Sequence, residues 1–240
     1  MISIKALART NVDIVVQAIL NNQGDYQFKK GLTSFVNPYS LMVLAEKSDI
    51  IRKIDYWYVD GGVLVLLLNK LFKSKLKRYS FDDTSLAPIV FDYSKKNYLN
   101  VAIVGAKPEE VKLAIDNIER KYGKLVTLFR DGYFNSANNQ DNFVKEIINK
   151  NIDIVICGMG TPLQEKFLIE LKNKGWQGFG FTCGGFIHQS STNVSYYPKL
   201  INKLKLRWVY RMIKEPNTIV RYVVVYPICL IKLMVYRLKH

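Results

Sequence analysis

Histidine, cysteine and acid are all scarce in this chain of 240 residues, and each scarcity removes a class of chemistry. The two histidines, His188 and His240, stand far apart. That leaves little material for a Ser-His-Asp triad or a histidine-based metal site. Cys157, Cys183 and Cys229 are odd in number, widely spaced and set among apolar neighbours. Such thiols read as reduced and buried in a cytosolic protein, without disulfide or zinc spacing. The opening stretch from Met1 to Arg9 lacks the long apolar core of a signal peptide, so the chain is expected to stay inside the cell. Near the other end, the apolar run from Tyr222 to Ile231 is bounded by Arg221 and Lys232. At ten residues it reads as too short for a bilayer span, which takes about 20.

What is present is apolar and basic. Hydrophobic residues make up 49% and aromatics 12%, enough for a sizeable core in one large or two small domains. Lys and Arg number 35 against 20 Asp and Glu, a net charge of +15, so the preferred partner is anionic. The charge is concentrated. Between positions 199 and 240 ten Lys/Arg face the single acid Glu215. Basic, apolar and aromatic residues together suggest a surface that lies on an anionic membrane; the plainer reading is a C-terminal core helix with solvated lysines. No helix-turn-helix, zinc or RNP pattern accompanies the charge, so nucleic acid is not the expected partner.

Strands and helices alternate along the chain. Helices are expected near 11–20 and 40–48, then a strand Tyr56-Trp57-Tyr58-Val59-Asp60 running into Gly61-Gly62 and an apolar helix to Phe72. A further helix is expected from about Thr84, capped by Asp83 or Thr84. Strands at 101–104, 125–129, 153–157 and 178–182 are separated by helices at 109–122, 140–150 and 164–174. Pro108-Glu109-Glu110 suits a first helical turn. This alternation implies an α/β fold, Rossmann-like, with a mostly parallel sheet and helices on both faces. Residues 1–195 form that core, and 196–240 a basic helical appendage. Ligands of such sheets sit beyond the carboxyl ends of the strands, where Asp60, Gly105, Gly132 and Gly158 fall.

The most informative segment is Gly158-Met159-Gly160-Thr161-Pro162-Leu163-Gln164-Glu165, after the run Ile152 to Cys157. Strand, glycine turn and helix start expose backbone N–H groups and a helix dipole, which attract a phosphate. Leu163 occupies the third glycine position of a dinucleotide fingerprint, and no Lys-Ser/Thr follows to make a P-loop. The pattern that remains, Gly-x-Gly-x-Pro-x-Gln-Glu, resembles the signature of the WecG/TagA/CpsF family of bacterial glycosyltransferases. Other elements of that family occur in order: Asn37-Pro38, Asp60-Gly61, Arg78 upstream of Asp83, Gly132-Tyr133-Phe134, Arg207-Trp208-Val209-Tyr210-Arg211 and Glu215-Pro216. There are departures. Phe35 stands where the family usually has Thr, Phe81 where it has Gly, and Thr218 where an Arg is expected. Cys183-Gly184-Gly185-Phe186 replaces a common Phe-Asp-Phe.

The resemblance implies an inverting transferase that moves a sugar from a UDP-sugar, a substrate rather than a cofactor, to an undecaprenyl-diphosphate-linked sugar. The same resemblance implies N-acetylmannosamine, its uronic acid or a hexose as the donor sugar and a cell-surface polysaccharide as the product. It also implies an enzyme peripheral on the cytoplasmic face of the bacterial cell membrane; homo-oligomerisation is left open. Such chemistry needs a base for the attacking hydroxyl and donors or cations for the departing diphosphate. Asp60, a strand-end carboxylate beside two glycines, is the expected base; a turn or cap residue is the plain alternative. Asn37, Arg78, Gly158, Gly160 and Gln164 are expected to hold the donor and its diphosphate, Arg78 through a bidentate guanidinium. Arg211 and Arg221 are candidates for the acceptor diphosphate. The adjacent acids Asp82-Asp83 seldom converge on one ion, and the resemblance implies no metal and no other cofactor. Two rivals are a nucleotide-dependent enzyme such as a dehydrogenase, whose glycine turn fails here, and a non-catalytic membrane-bound adaptor of a polysaccharide assembly complex, which would tolerate loss of Asp60.

Overall fold

The computed structural model describes residues 11–239 apart from positions 23 and 205. The expectation about Met1 to Arg9, the charge counted at Lys205 and the histidine His240 lie outside the described residues. In chain order the elements are α1 (Asp13–Leu20), β1 (Gly31–Val36), α2 (Pro38–Leu44), α3 (Ser48–Lys53), β2 (Tyr56–Val59), α4 (Gly62–Phe72), α5 (Leu86–Lys96), β3 (Val101–Gly105), α6 (Pro108–Tyr122), β4 (Val126–Arg130), α7 (Ala137–Asn149), β5 (Ile154–Gly158), α8 (Leu163–Asn173), β6 (Phe179–Thr182) and α9 (Phe186–Thr192). The C-terminal part adds α10 (Lys199–Lys203), α11 (Arg207–Lys214), a 3-10 turn (Pro216–Thr218), a π-helical turn (Arg221–Val225) and α12 (Tyr226–Lys239).

Six strands form one sheet in the order β2-β1-β6-β5-β3-β4, every neighbouring pair parallel. Alternate residues of the strands go to opposite faces, as the pleat requires. Ala102, Val104 and Val155 enter the core packed against α1 to α4, α7 and α8, while Val101, Ile103, Ile154 and Ile156 enter the one under α5, α6 and α9. Both faces are therefore covered, the condition for a parallel sheet of apolar strands. Because all strands run the same way, their carboxyl ends make one rim. At its centre β3 leads outward to β4 while β5 leads back to β6, a topological switch point at which Gly105 and Gly158 pair side by side.

Four details differ from the sequence reading. Strand β1 carries Thr33 and Ser34, polar residues that hide its strand character; both are buried, and Ser34 Oγ donates to Glu165 Oε1 at 3.0 Å. The helix expected at 40–48 is two helices, since Asn37 caps α2 with Pro38 in its first turn, α2 ends at Leu44, and α3 restarts at Ser48. Helix α5 begins only at Leu86, not near Thr84, and its N-cap Ser85 makes no side-chain capping bond. Asp82 closes the preceding turn instead, its Oδ1 accepting from Thr84 N at 2.8 Å.

The fourth concerns the tail. The ten-residue apolar run is part of a continuous helical segment, Pro216–Leu238, of 23 residues and mean hydropathy 1.8, long and apolar enough by length and composition to cross a membrane. It is not free of the rest of the protein. Val225, Cys229, Leu233 and Tyr236 belong to the larger hydrophobic core, and α12 packs on α2 and α4. Gln17 of α1 donates to the Tyr236 hydroxyl at 3.2 Å. The opposite side of the segment leaves Val223, Ile231 and Leu238 exposed, beside the exposed Val63 and Leu66 of α4.

Candidate active site

Asp60 follows β2 at the carboxyl rim, its N–H bonded to Val36 O at 2.8 Å. Gly61 takes φ 115°, a left-handed conformation that favours glycine, and a Cβ added to Gly61 or Gly62 would meet nothing within 4 Å. The carboxylate therefore borders open space. Arg78 is brought beside it by a short bridge between Val59 and Arg78 that continues the sheet edge. Its Nη2 donates to Asp60 Oδ1 at 3.0 Å, Asp82 Oδ2 at 2.7 Å and Ser80 Oγ at 2.6 Å. Arg78 is thus held by three side-chain partners beside Asp60.

Burial raises the Asp60 pKa above the ordinary carboxylate value and outweighs the attraction of Arg78. Burial pushes Asp82 the same way, but there the charge of Arg78 and hydrogen bonds from Ser80, Arg78 and Thr84 win, holding it down to about 2. The two acids bordering one guanidinium are therefore driven apart. Burial favours the neutral form of Asp60, while the partners of Asp82 favour its anion. Asp83 turns away from its neighbour, with Lys121, the Tyr122 hydroxyl at 2.9 Å and Ser195 Oγ at 2.9 Å as partners. The adjacent acids diverge. Among the described residues no cluster of three or more His, Cys, Asp or Glu side chains is arranged to hold a metal ion.

The glycine turn lies at the centre of the rim. A Cβ on Gly158 would stand 2.8 Å from Cys183 Sγ and 2.9 Å from Ile187, so only glycine lets the turn pack this closely; Gly160, at φ 76°, faces open space. Helix α8 starts directly after it, so its N-terminus lies at this rim. Gln164 is buried below the turn. Its Oε1 accepts from Gly184 N at 3.2 Å, and its Nε2 donates to Thr161 Oγ1 at 3.2 Å and Glu165 Oε1 at 3.1 Å. Asn37 Oδ1 accepts from Tyr39 N and Ser40 N, both at 3.0 Å, so the residue caps α2 and has only its amide nitrogen to offer a substrate.

The C-terminal segment closes one side of the rim. Arg211 donates through Nε to Glu215 Oε2 at 2.9 Å, and its Nη2 lies against Gly185, where a Cβ would come within 2.9 Å. Thr218, in place of the expected arginine, is buried and donates to Glu215 O at 2.8 Å, locking the turn after α11. Arg221 stacks over Tyr39, 4.4 Å from the ring centroid, next in sequence to the Asn37-Pro38 pair.

Two participants escaped the sequence reading. Arg207 reaches across to donate to Asp82 Oδ2 at 3.0 Å and Thr84 Oγ1 at 2.7 Å, so the tail is tied to the carboxylate that holds Arg78. Its place at the head of Arg-Trp-x-x-Arg was the available signal. Glu165 is buried completely and bonds Ser34 and Thr161 as well as Gln164, with its Oε2 unpartnered. Burial raises its pKa, which favours the neutral acid under the turn.

The profile of the glycosyl transferase WecG/TagA/CpsF family matches residues 3–240. A Shigella boydii protein named UDP-Gal:alpha-D-GlcNAc-diphosphoundecaprenol beta-1,4-galactosyltransferase is 36% identical over 198 residues, covering 82% of this chain and 83% of its own length.

Proposed function

Given that the chain belongs to the WecG/TagA/CpsF family and is a glycosyltransferase, we propose that it moves a hexose from a UDP-sugar to an undecaprenyl-diphosphate-linked sugar during synthesis of a cell-surface polysaccharide. The donor and acceptor classes come from the name of the Shigella relative, and galactose is the first sugar to try. The observation that carries the mechanism is the Asp60–Arg78 pair bordering the open space at Gly61 and Gly62.

Asp60 takes the proton of the acceptor hydroxyl as that oxygen attacks the anomeric carbon. The C–O bond to the diphosphate breaks on the opposite side, so the anomeric configuration inverts. Burial, which raises the Asp60 pKa, makes it a stronger base than an exposed carboxylate. Charge builds on the departing UDP. The Arg78 guanidinium and the N-terminus of α8, with Gly158 and Gly160 giving close access, supply fixed positive charge to meet it. No metal is asked for in this scheme. Gln164 holds the turn in shape from below, Asn37 offers its amide nitrogen from the end of β1, and Arg211 and Arg221 approach from the tail to hold the acceptor diphosphate.

The protein works at the membrane that carries its acceptor, resting on the cytoplasmic face. The half-packed Pro216–Leu238 segment supports a helix lying along the surface, because Cys229 and Leu233 are engaged with the core while Ile231 and Leu238 are free. The test is a panel of UDP-sugars with a short-chain prenyl-diphosphate-linked N-acetylglucosamine acceptor, reading UDP release. Acceptor-dependent release from one UDP-hexose is expected. Absence of acceptor-dependent release from every donor overturns the reading.

A further inference from the structure

The tail brings aromatic rings, as well as arginines, to the rim that holds Asp60. Helix α11 is followed by a 3-10 turn and then by a π-helical turn, Arg221–Val225, before the regular α12 begins. Single π-helical turns within helices often mark functional positions, because the extra residue re-aims a side chain. Here the turn sets Arg221 over Tyr39 of α2 and leaves the next residue, Tyr222, half-buried between Tyr226 and Trp208, at ring distances of 4.7 and 6.4 Å. The same cluster lies at the catalytic rim, because Tyr39 under Arg221 belongs to the first turn of α2, which starts at the end of β1 where Val36 O accepts from Asp60 N at 2.8 Å. Burial raises the pKa of both the Tyr222 and Tyr226 phenols, and in each the Asp60 carboxylate adds to the rise while Arg211 opposes it. Open space at Gly61 and Gly62 follows Asp60 directly in the chain.

A hydroxyl that loses its proton to Asp60 has to be held on a surface next to it. Charged groups of the tail suit a diphosphate, but they do not hold the apolar face of a sugar ring. An aromatic ring does, since its negative face meets the C–H bonds that a pyranose presents on one side. We propose that Tyr222, backed by Tyr226 and Trp208, is the platform on which the acceptor's pyranose ring stacks, so that one of its hydroxyls is set against Asp60. This rests on the acceptor reading above and adds to it the surface that recognises the sugar. The geometry divides the tail's labour. Arg211 and Arg221 serve the diphosphate, Tyr222 serves the ring attached to it, and the outward apolar residues serve the lipid.

The experiment is isothermal titration of the full chain in detergent with three probes: a short-chain prenyl diphosphate carrying N-acetylglucosamine, the same prenyl diphosphate without sugar, and UDP. The unaltered protein should bind the sugar-bearing probe more tightly than the sugarless one. Tyr222→Ala should weaken the sugar-bearing probe about tenfold and leave the other two unchanged. Tyr222→Leu, which keeps apolar bulk but no π face, should behave like Ala, and Tyr222→Phe like the unaltered chain. Equal loss on both prenyl probes would make Tyr222 a diphosphate or lipid contact and overturn the proposal, as would unchanged binding of the sugar-bearing probe. Loss of UDP binding in Tyr222→Leu would overturn it too, by showing a general collapse of the rim. Failure of the unaltered chain to bind either prenyl probe, with UDP still bound, would sink the acceptor reading itself; equal binding of the two would sink the platform alone.

Discussion

Arg78 Nη2 donates to Asp60 Oδ1 at 3.0 Å while Asp82 and Ser80 grip the same nitrogen from the other side. These three bonds all leave from Nη2. The pairing makes Asp60 the residue whose loss should separate binding from chemistry. An adaptor needs no base there, and a transferase does.

Asp60→Asn should therefore reduce transfer by about 10² to 10⁴, the usual contribution of a positioned base, with UDP-sugar affinity changed only a few fold. Stability should move the other way. Because burial raises the Asp60 pKa above 3.8, ionising it costs free energy in the folded state at neutral pH. The variant should melt no lower than the unaltered chain at pH 7, and any gain should vanish below about pH 4, where the carboxyl is protonated whether folded or not. Measurements of initial rate, UDP-sugar titration and melting at the two pH values decide this. Near-normal turnover would remove Asp60 from the mechanism.

Metal removal tests what neutralises the leaving group. If Arg78 and the α8 N-terminus do so, transfer should persist in excess EDTA, while Arg78→Lys, which loses the fork that grips phosphate oxygens, should be impaired by at least tenfold. Loss in EDTA with rescue by Mg²⁺ or Mn²⁺ would instead assign the diphosphate to an ion.

The parts of this rim that were legible in the sequence are those carried by local pattern. The glycine turn, the strand before it and the helix after it follow from Ile152 to Gln164 alone, and β-α alternation yields a parallel sheet whose ends hold Asp60 and Gly158. Long-range polar contacts left weaker marks. Ser34 looks like a loop residue until Glu165, distant in sequence, supplies its partner, and this hid β1. Arg207 reads as one of many tail cations until it meets Asp82. The Tyr222–Ile231 run stops at charges in the sequence, yet its helix continues past Lys232, since the outer face of a partly packed helix can carry a charge.

Asp82 joins the sheet edge to the tail, so its ionisation should govern both. Its pKa, lowered from 3.8 to about 2, gives a stabilisation that is complete above the unfolded value and lost as pH falls through the folded one. That difference corresponds to about 2 kcal/mol at neutral pH. Asp82→Asn should be destabilised by this order at pH 7, and the gap to the unaltered chain should close on acidification toward pH 2. Denaturant unfolding along a pH series checks it; a gap that stays constant to pH 2 would show that the carboxylate charge is not what binds Arg78 and Arg207.

The last prediction concerns the outer face of the C-terminal helix. Ile231 and Leu238 are 59% and 86% exposed, while Leu233 on the same helix is 0% exposed and sits in the core. Entry of such side chains into a lipid interface is worth about 1.5–3 kcal/mol for a fully buried residue, and nearby Lys and Arg add about 1 kcal/mol each, screened by salt. Ile231→Glu and Leu238→Glu should each lower co-sedimentation with anionic liposomes at least tenfold, with little change in melting temperature, and the protein should leave the membrane as salt rises. Leu233→Glu should unfold the protein instead, because it drives a charge into packed apolar residues. Removal of residues 212–240 should likewise destabilise the fold, since it strips Val225, Cys229 and Leu233 from the core that α2 and α4 share. Liposome binding that survives both outward substitutions would leave the exposed apolar face without a lipid role, and then the helix would serve the core alone.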